Sequence, residues 1–173
     1  MNLFILRHGL ASDPGEDGLP KNLPDADRPL SLKGQEKLWH TTEAMRAMEL
    51  EFNAVMTSPL LRARQTAHAV VELLSLRRKL IFTDHLAPNG SPKLLIEQIN
   101  GLDPRTKNIL LVGHEPYLSR FISLLISSNS TAQIDLKKGG LARLNIEEKL
   151  RFGRCAELSW LLAPSQLRLL RQR

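Results

Sequence analysis

The chain has 173 residues, 42% of them hydrophobic and 24% charged, which suits one domain (1–173) around one core. A net charge of +6 admits anionic partners, but only 5% of the residues are aromatic, too few for the interleaved rings of a single-strand nucleic-acid binder. No stretch approaches the roughly 20 apolar residues that cross a bilayer, and the first apolar run leads into Arg7-His8 instead of a small-residue cleavage site, so neither a membrane span nor a secretory signal is expected. From the N-terminus, Leu3-Phe4-Ile5-Leu6 predicts a buried strand ending at Arg7-His8-Gly9. Ala11 to Arg28 is acidic and rich in Pro and Gly, and reads as a long loop too irregular for an element. Pro29-Leu30-Ser31 opens a helix, with Ser31 as N-cap and Leu38, Ala44, Met45 and Met48 at helical spacing. Phe52 to Met56 predicts a second strand ending at Thr57-Ser58-Pro59. A helix follows from Leu60 to Leu74, with Leu60, Leu61, Ala67, Val70, Val71 and Leu74 as its inner side. Leu80-Ile81-Phe82 is a short third strand, and a helix runs from Pro92 to Asn100, stopping at Gly101. Asn108 to Val112 is a fourth strand, apolar as a buried parallel strand is, ending at Gly113-His114. Pro116, at a first helical position, starts the fourth helix, which runs through Ile126. Gly139 to Ile146 and Ala156 to Leu162 partly alternate around the charged span Glu147 to Arg154 and read as a hairpin joined to the sheet.

Alternating strands and helices imply a three-layer α/β/α sandwich, a mostly parallel sheet with helices on both faces and a C-terminal β-hairpin. The carboxyl ends of such strands share one edge, where ligands bind. Three of these ends carry polar residues: Arg7-His8-Gly9, Ser58-Pro59 leading to Arg62 and Arg64, and Gly113-His114. Two histidines and at least two arginines around one cleft suit a phosphate. Arg62 and Arg64 compete for the second arginine's place, and Ser58 either bonds phosphate or caps the helix. His40, His68 and His85 match no motif and read as structural or solvated; His68 lies two turns along the helix from Arg62. No histidine spacing or cysteine cluster suggests a metal, and no cofactor is expected. Cys155, the one cysteine, permits no intrachain disulfide and suggests a reducing compartment, so the cytoplasm is expected. The clusters Arg77-Arg78-Lys79, Lys137-Lys138 and Arg168 to Arg173 read as solvated faces, and no nucleic-acid or membrane partner is expected.

Four stretches in order carry a resemblance: Leu6-Arg7-His8-Gly9, Asp27 to Gly34, Thr57 to Ala67, and Val112-Gly113-His114-Glu115-Pro116. With them the chain resembles the histidine phosphatase superfamily, the phosphoglycerate-mutase-like proteins. Its small size and the run Leu86-Ala87-Pro88-Asn89-Gly90 look most like the short SixA-type branch of phosphohistidine phosphatases. The resemblance implies that His8 is the nucleophile, accepting a phosphoryl group and passing it to water. To attack, His8 must be neutral, and neighbouring arginines disfavour its protonated form. Arg7 and Arg62 match the arginines that grip phosphoryl oxygens. His114 matches a second pocket histidine, expected to hydrogen-bond the transferring group as a cation. Gly9 and Ser58 complete the expected substrate-binding set.

One departure bears on substrate. Larger members carry a glutamate after the third strand as general acid, whereas the corresponding run here holds Pro88 and Asn89. Glu115 and Asp13 are possible substitutes, although neither matches the family's acid. The expected activity is therefore metal-independent hydrolysis of phosphohistidine on a partner protein, a phosphotransfer domain or a phosphotransferase component, by a monomeric enzyme. The rival readings are a small-molecule phosphomonoesterase and a phosphate-binding module without turnover.

Overall fold

The apolar runs at 3–6 and 109–112 become the two central strands of a six-stranded sheet in the computed structural model, which describes residues 1–76 and 80–170. β1 (Asn2–Arg7) and β4 (Asn108–Gly113) pair in parallel from Asn2 opposite Asn108 to Arg7 opposite Gly113. β2 (Ala54–Thr57) lies parallel on the other side of β4, and β3 (Leu80–Phe82) lies parallel beyond β2. β5 (Leu141–Asn145) and β6 (Glu157–Leu162) continue the sheet beyond β1 as an antiparallel pair. The strand order is β3-β2-β4-β1-β5-β6.

Alternation along the central strands assigns each residue to a layer. Leu3, Ile5, Ile109 and Leu111 pack on α3 (Pro92–Asn100) and α4 (Tyr117–Ser127), against Leu95, Ile99, Leu118, Phe121 and Ile122. Phe4, Leu6, Leu110 and Val112 face the opposite way, onto α1 (Leu32–Ala47), α2 (Leu61–Leu73) and α5 (Pro164–Leu170). Helices thus cover both faces of the sheet, which explains why β1 and β4 read as unbroken apolar runs. Among the described residues no helix is long and apolar enough to cross a membrane.

Local signals act as expected at several boundaries. Ser31 caps α1 by accepting the Gly34 N–H at 3.0 Å, and α3 stops at Gly101. Gly34 also lets α1 meet the loop after β1: a Cβ there would stand 1.9 Å from the Leu10 carbonyl oxygen.

Other boundaries differ from the reading. Residues 11–30 hold a bridge between Ala11 and Leu30 and a 3-10 turn at Asp25–Asp27. Another 3-10 turn occupies Asp84–Leu86. The second strand starts at Ala54, and Phe52 is a buried core residue before it. Leu60 and Leu61 are only half-buried; the buried side of α2 is Arg62, Ala63, Thr66, Ala67 and Val70, because the helix turns polar residues toward the strand ends. Pro116 caps α4 from outside, and Tyr117 is its first residue. Arg168, where the tail read as a basic cluster begins, lies in α5, whose Leu167 is fully buried against the second core layer. Arg77-Arg78-Lys79 and residues 171–173 lie outside the described residues.

Candidate active site

His8, Ser58 and His114 each stand one residue beyond the end of a strand, β1, β2 and β4 respectively, and these three strands are neighbours. The ladder extends into the site: the His8 N–H donates to the Gly113 carbonyl and the Ser58 N–H to the Val112 carbonyl, both at 3.0 Å. Arg62, in the first turn of α2, reaches the same point from beside the sheet. His8, Ser58, Arg62 and His114 are all buried, while Arg7 is half-buried.

The His8 ring is fixed at both nitrogens. Nδ1 lies 2.7 Å from the Gly9 carbonyl oxygen, which only accepts, so Nδ1 carries the proton. The lone pair of the neutral ring is then on Nε2, where the Arg62 Nε–H donates at 3.4 Å. Burial first, then the neighbouring His114, and after it Arg62 and Arg7, lower the His8 pKa to about 3, against the opposing bond to Gly9. The nucleophile expected to be neutral is therefore neutral at pH 7, with burial rather than the arginines as the main cause.

His114 stacks obliquely near His8, with ring centroids 4.8 Å apart. Its Nε2 is 2.8 Å from the Ser58 hydroxyl, which also accepts the Leu60 N–H at 3.3 Å. Ser58 thus orients His114 instead of capping α2, whose N-cap is Leu60. Burial and then Arg62 lower the His114 pKa to about 4, with Asp25 opposing. His114 is consequently neutral at pH 7 in the protein by itself, not the expected cation.

Arg62, not Arg64, is the second arginine of the site. Arg64 is exposed and lies over the Phe82 ring. The outer edge of Arg62 is occupied: Nη1 donates to the Asp25 carbonyl at 2.6 Å and Nη2 to the Asp25 carboxylate at 2.9 Å. Arg7 donates from Nη1 to the Leu136 carbonyl at 2.9 Å. Burial lowers its pKa, with Glu115 and Asp135 opposing, and a guanidinium in this setting stays charged. Arg7 Nε and His114 Nδ1 are buried and have no hydrogen-bond partner among the described residues.

Gly9 reaches the site but does not offer its amide. Its N–H donates to the Thr66 hydroxyl at 3.1 Å, and Thr66 in turn donates to the Arg62 carbonyl at 2.7 Å. Thr66 is therefore a strut between β1 and α2, and its place one turn after Arg62 was the signal for it. The two proposed acids are engaged elsewhere. Glu115 holds the start of α4, accepting from the Ser119 N–H at 3.1 Å and the Ser119 hydroxyl at 2.5 Å. Asp13 is exposed and pairs with Arg28. Asp25, passed over in the sequence, is the carboxylate that reaches the site; its one signal was an acidic loop directly following Arg7-His8-Gly9. Burial raises the Asp25 pKa, but hydrogen bonds from Arg62 and Arg28 outweigh it, and the pKa falls below the ordinary value. Among the described residues no group of three or more His, Cys, Asp or Glu could hold a metal ion.

A family model of the histidine phosphatase superfamily (branch 1) matches residues 3–87. An uncharacterized protein of Picosynechococcus sp. is 32% identical over 146 residues, 83% of this chain and 84% of that one. This chain belongs to the histidine phosphatase superfamily. Among other members, phosphohistidine phosphatase SixA of Escherichia coli (strain K12) is 24% identical over 154 residues, 84% of this chain and 91% of that protein. The fold recurs in the protein histidine phosphatase SixA complexed with tungstate, with a TM-score of 0.80 at 23% identity over 96% of this chain and 99% of that one. It recurs also in the alpha-ribazole phosphatase from Shigella flexneri, with a TM-score of 0.63 at 20% identity over 89% and 96%. The phosphoglycerate-mutase-like sandwich expected from the resemblance is the fold of this superfamily member, and the SixA-type proteins are among its relatives.

Proposed function

We propose that this protein hydrolyses phosphohistidine on a partner protein, without a metal, through a covalent phosphohistidine on His8. The observation that carries the reading is the His8 ring: neutral, its proton held on Nδ1 by Gly9, its Nε2 lone pair beside Arg62. In the first step Nε2, released by the Arg62 Nε–H, bonds to phosphorus as the phosphorus–nitrogen bond to the substrate's imidazole breaks, and that ring, protonated from solvent, leaves as neutral imidazole. The positive charge that develops on His8 is shared through Nδ1–H with the Gly9 carbonyl. In the second step water attacks phosphorus, the bond to Nε2 breaks, and inorganic phosphate leaves. Arg7 and Arg62 hold phosphoryl oxygens; an oxygen would also satisfy the partnerless Arg7 Nε, and Nδ1 of His114 once Ser58 donates to Nε2. Such catalysis is mostly positioning and charge stabilisation.

Two features support phosphohistidine over alkyl phosphates. The resemblance to the SixA-type proteins is one. The other is that no carboxylic acid stands ready: Glu115 and Asp13 are bonded elsewhere, and Asp25 is held as a carboxylate by Arg62. An alkoxide leaving group normally needs such an acid, whereas an imidazole has a pKa of about 6.5 and leaves readily. Asp25 also favours the second reading, a small-molecule phosphomonoesterase, should substrate displace it from Arg62 and raise its pKa. A cytoplasmic setting belongs to the proposal, supported by the single Cys155.

Rapid quench with a labelled phosphohistidine peptide tests the mechanism. An acid-labile phosphoenzyme should form on wild type and vanish, with turnover, in His8→Ala. Turnover by His8→Ala, or rates abolished by chelators, would overturn the mechanism. A sugar phosphate as best substrate would transfer the assignment to the second reading.

A further inference from the structure

Beside the site lies a basic groove that the reaction does not use. A cavity of about 600 Å³ is bordered by Lys33 and Lys37 from α1, Lys137 and Lys138 from the loop before β5, and Arg168 from α5. Lys37, Lys137 and Lys138 also border an adjoining cavity of about 330 Å³ that reaches Arg7 and Gly9. The two form one path from the anion-gripping arginine to the outer surface. All five cations are exposed. Against them stand Glu36, in the groove wall, and Asp135, paired with Lys137 at 2.6 Å.

The position of this groove is fixed with respect to the nucleophile. The Gly139 N–H lies 3.0 Å from the Arg7 carbonyl and 3.2 Å from the His8 carbonyl, a double contact made with Gly139 at φ +76°. Arg7 grips the same loop through Leu136. The loop that carries Lys137 and Lys138 is therefore tied on both sides of the pair to the end of β1.

We propose that this groove docks an acidic protein surface that flanks the substrate phosphohistidine. The inference rests on the phosphohistidine reading and names the kind of partner it serves. A small ligand would call for convergent, buried polar groups. Here the charges are long, solvated and drawn from three separate elements, an arrangement that steers and registers an opposing charged face. Among the described residues no Phe, Trp or Tyr borders either cavity, so the stacking platform of a single-strand nucleic-acid binder is not built there. The reach of the charges, about 8 Å at physiological salt, spans the space between the groove and a docked neighbour.

The test uses two phosphohistidine peptides of equal length, one with Glu flanks and one with Lys flanks, together with phosphoramidate as a flank-free substrate. The variant is Lys33→Glu/Lys138→Glu/Arg168→Glu, all at exposed positions. Wild type should favour the Glu-flanked peptide about tenfold in kcat/KM at low salt, the preference shrinking as salt rises. In the triple variant the preference should disappear or reverse, with kcat on phosphoramidate within about threefold of wild type. No flank preference, or one that survives the triple substitution, overturns the proposal. Binding of an unphosphorylated Glu-rich peptide, read by fluorescence anisotropy, separates the groove from the chemistry. If neither phosphohistidine peptide is hydrolysed but the Glu-rich peptide binds wild type and not the variant, the substrate assignment fails and the docking surface stands. Tighter binding of a single-stranded oligonucleotide or of inorganic polyphosphate than of the Glu-rich peptide at matched charge would overturn it in favour of those ligands.

Discussion

The histidine pair links the site to the stability of the whole fold, and the link has a calculable size. Unfolded, His8 and His114 titrate near 6.5; folded, burial first, then His114 for His8 and Arg62 for His114, bring them to about 3 and about 4. The folded state therefore refuses protons that the unfolded chain accepts. The stabilisation is fully present above pH 6.5 and is lost as pH falls through the window toward the folded values. Between pH 7.5 and 5.5 each ring forfeits about 1.4 kcal/mol, so the pair accounts for about 2.7 kcal/mol. That is a large share of the 5–15 kcal/mol that typically holds a domain together. Urea unfolding of wild type and of His8→Asn/His114→Gln at both pH values isolates the pair, because every other titrating group is common to both proteins. Wild type should lose about 2.7 kcal/mol more than the double variant, and each single variant should account for about half. Equal pH dependence in all four proteins would refute the burial of neutral rings on which the proposed attack by His8 depends.

Four other outcomes are expected. Arg62→Lys removes the Nε–H that meets His8 and the fork proposed to hold phosphate, and should lower kcat/KM about 100-fold, or about 2.7 kcal/mol, in a phosphohistidine peptide assay. Asp25→Asn removes the negative charge that competes with an anion for Arg62 while Nη1 keeps its bond to the backbone carbonyl of residue 25, so inorganic phosphate should inhibit several-fold more tightly while kcat on phosphohistidine persists; a collapse of kcat would make Asp25 a proton donor. Gly34→Ala drives a methyl into the Leu10 carbonyl and should reduce the unfolding free energy by at least about 2 kcal/mol, with an unchanged urea midpoint contradicting the close approach. Leu167→Ala should cost about 2–4 kcal/mol by the same measurement and leave kcat on p-nitrophenyl phosphate within about twofold, showing that α5 is part of the core and not of the site.

The central strands and the strand-end residues were legible because each rests on a local signal. Leu3 to Leu6 and Ile109 to Val112 are apolar throughout since both faces of the sheet are covered, and this pattern put His8 and His114 at strand ends, while the four ordered stretches singled them out. Ser31 marked a helix start through a side-chain cap that acts within three residues, and α3 ends at Gly101 with that residue still in the right-handed helical region, so its glycine served as a marker without the left-handed cap. What escaped depends on distance in space. Asp25 meets Arg62 across 37 residues, and nothing near Asp25 in sequence announces an arginine. The protonation of His114 depends on how deeply it is buried, which the tripeptide around it does not encode. The apolar stripe of α2 was legible at Ala67, Val70, Val71 and Leu74, which pack on the core, but not at its start, where the helix buries Arg62 and Thr66 at the strand ends and leaves Leu60 and Leu61 half-buried. The terminal helix was hidden by its charges: Arg168 drew the reading away from the buried Leu167 beside it.

Ser58, His114 and His8 follow three adjacent strands, and the 4.8 Å between the two rings matches the roughly 4.8 Å pitch of a β-sheet. That the two imidazoles are neighbours is thus inherited from the pairing of β1 with β4, whose last register pair is Arg7 opposite Gly113. Lengthening the loop at 11–29, the hairpin or the α4–β5 connection changes what surrounds the mouth without altering that pitch. A chain organised this way can exchange its rim, and with it its choice of partner, while the reaction stays where the sheet put it.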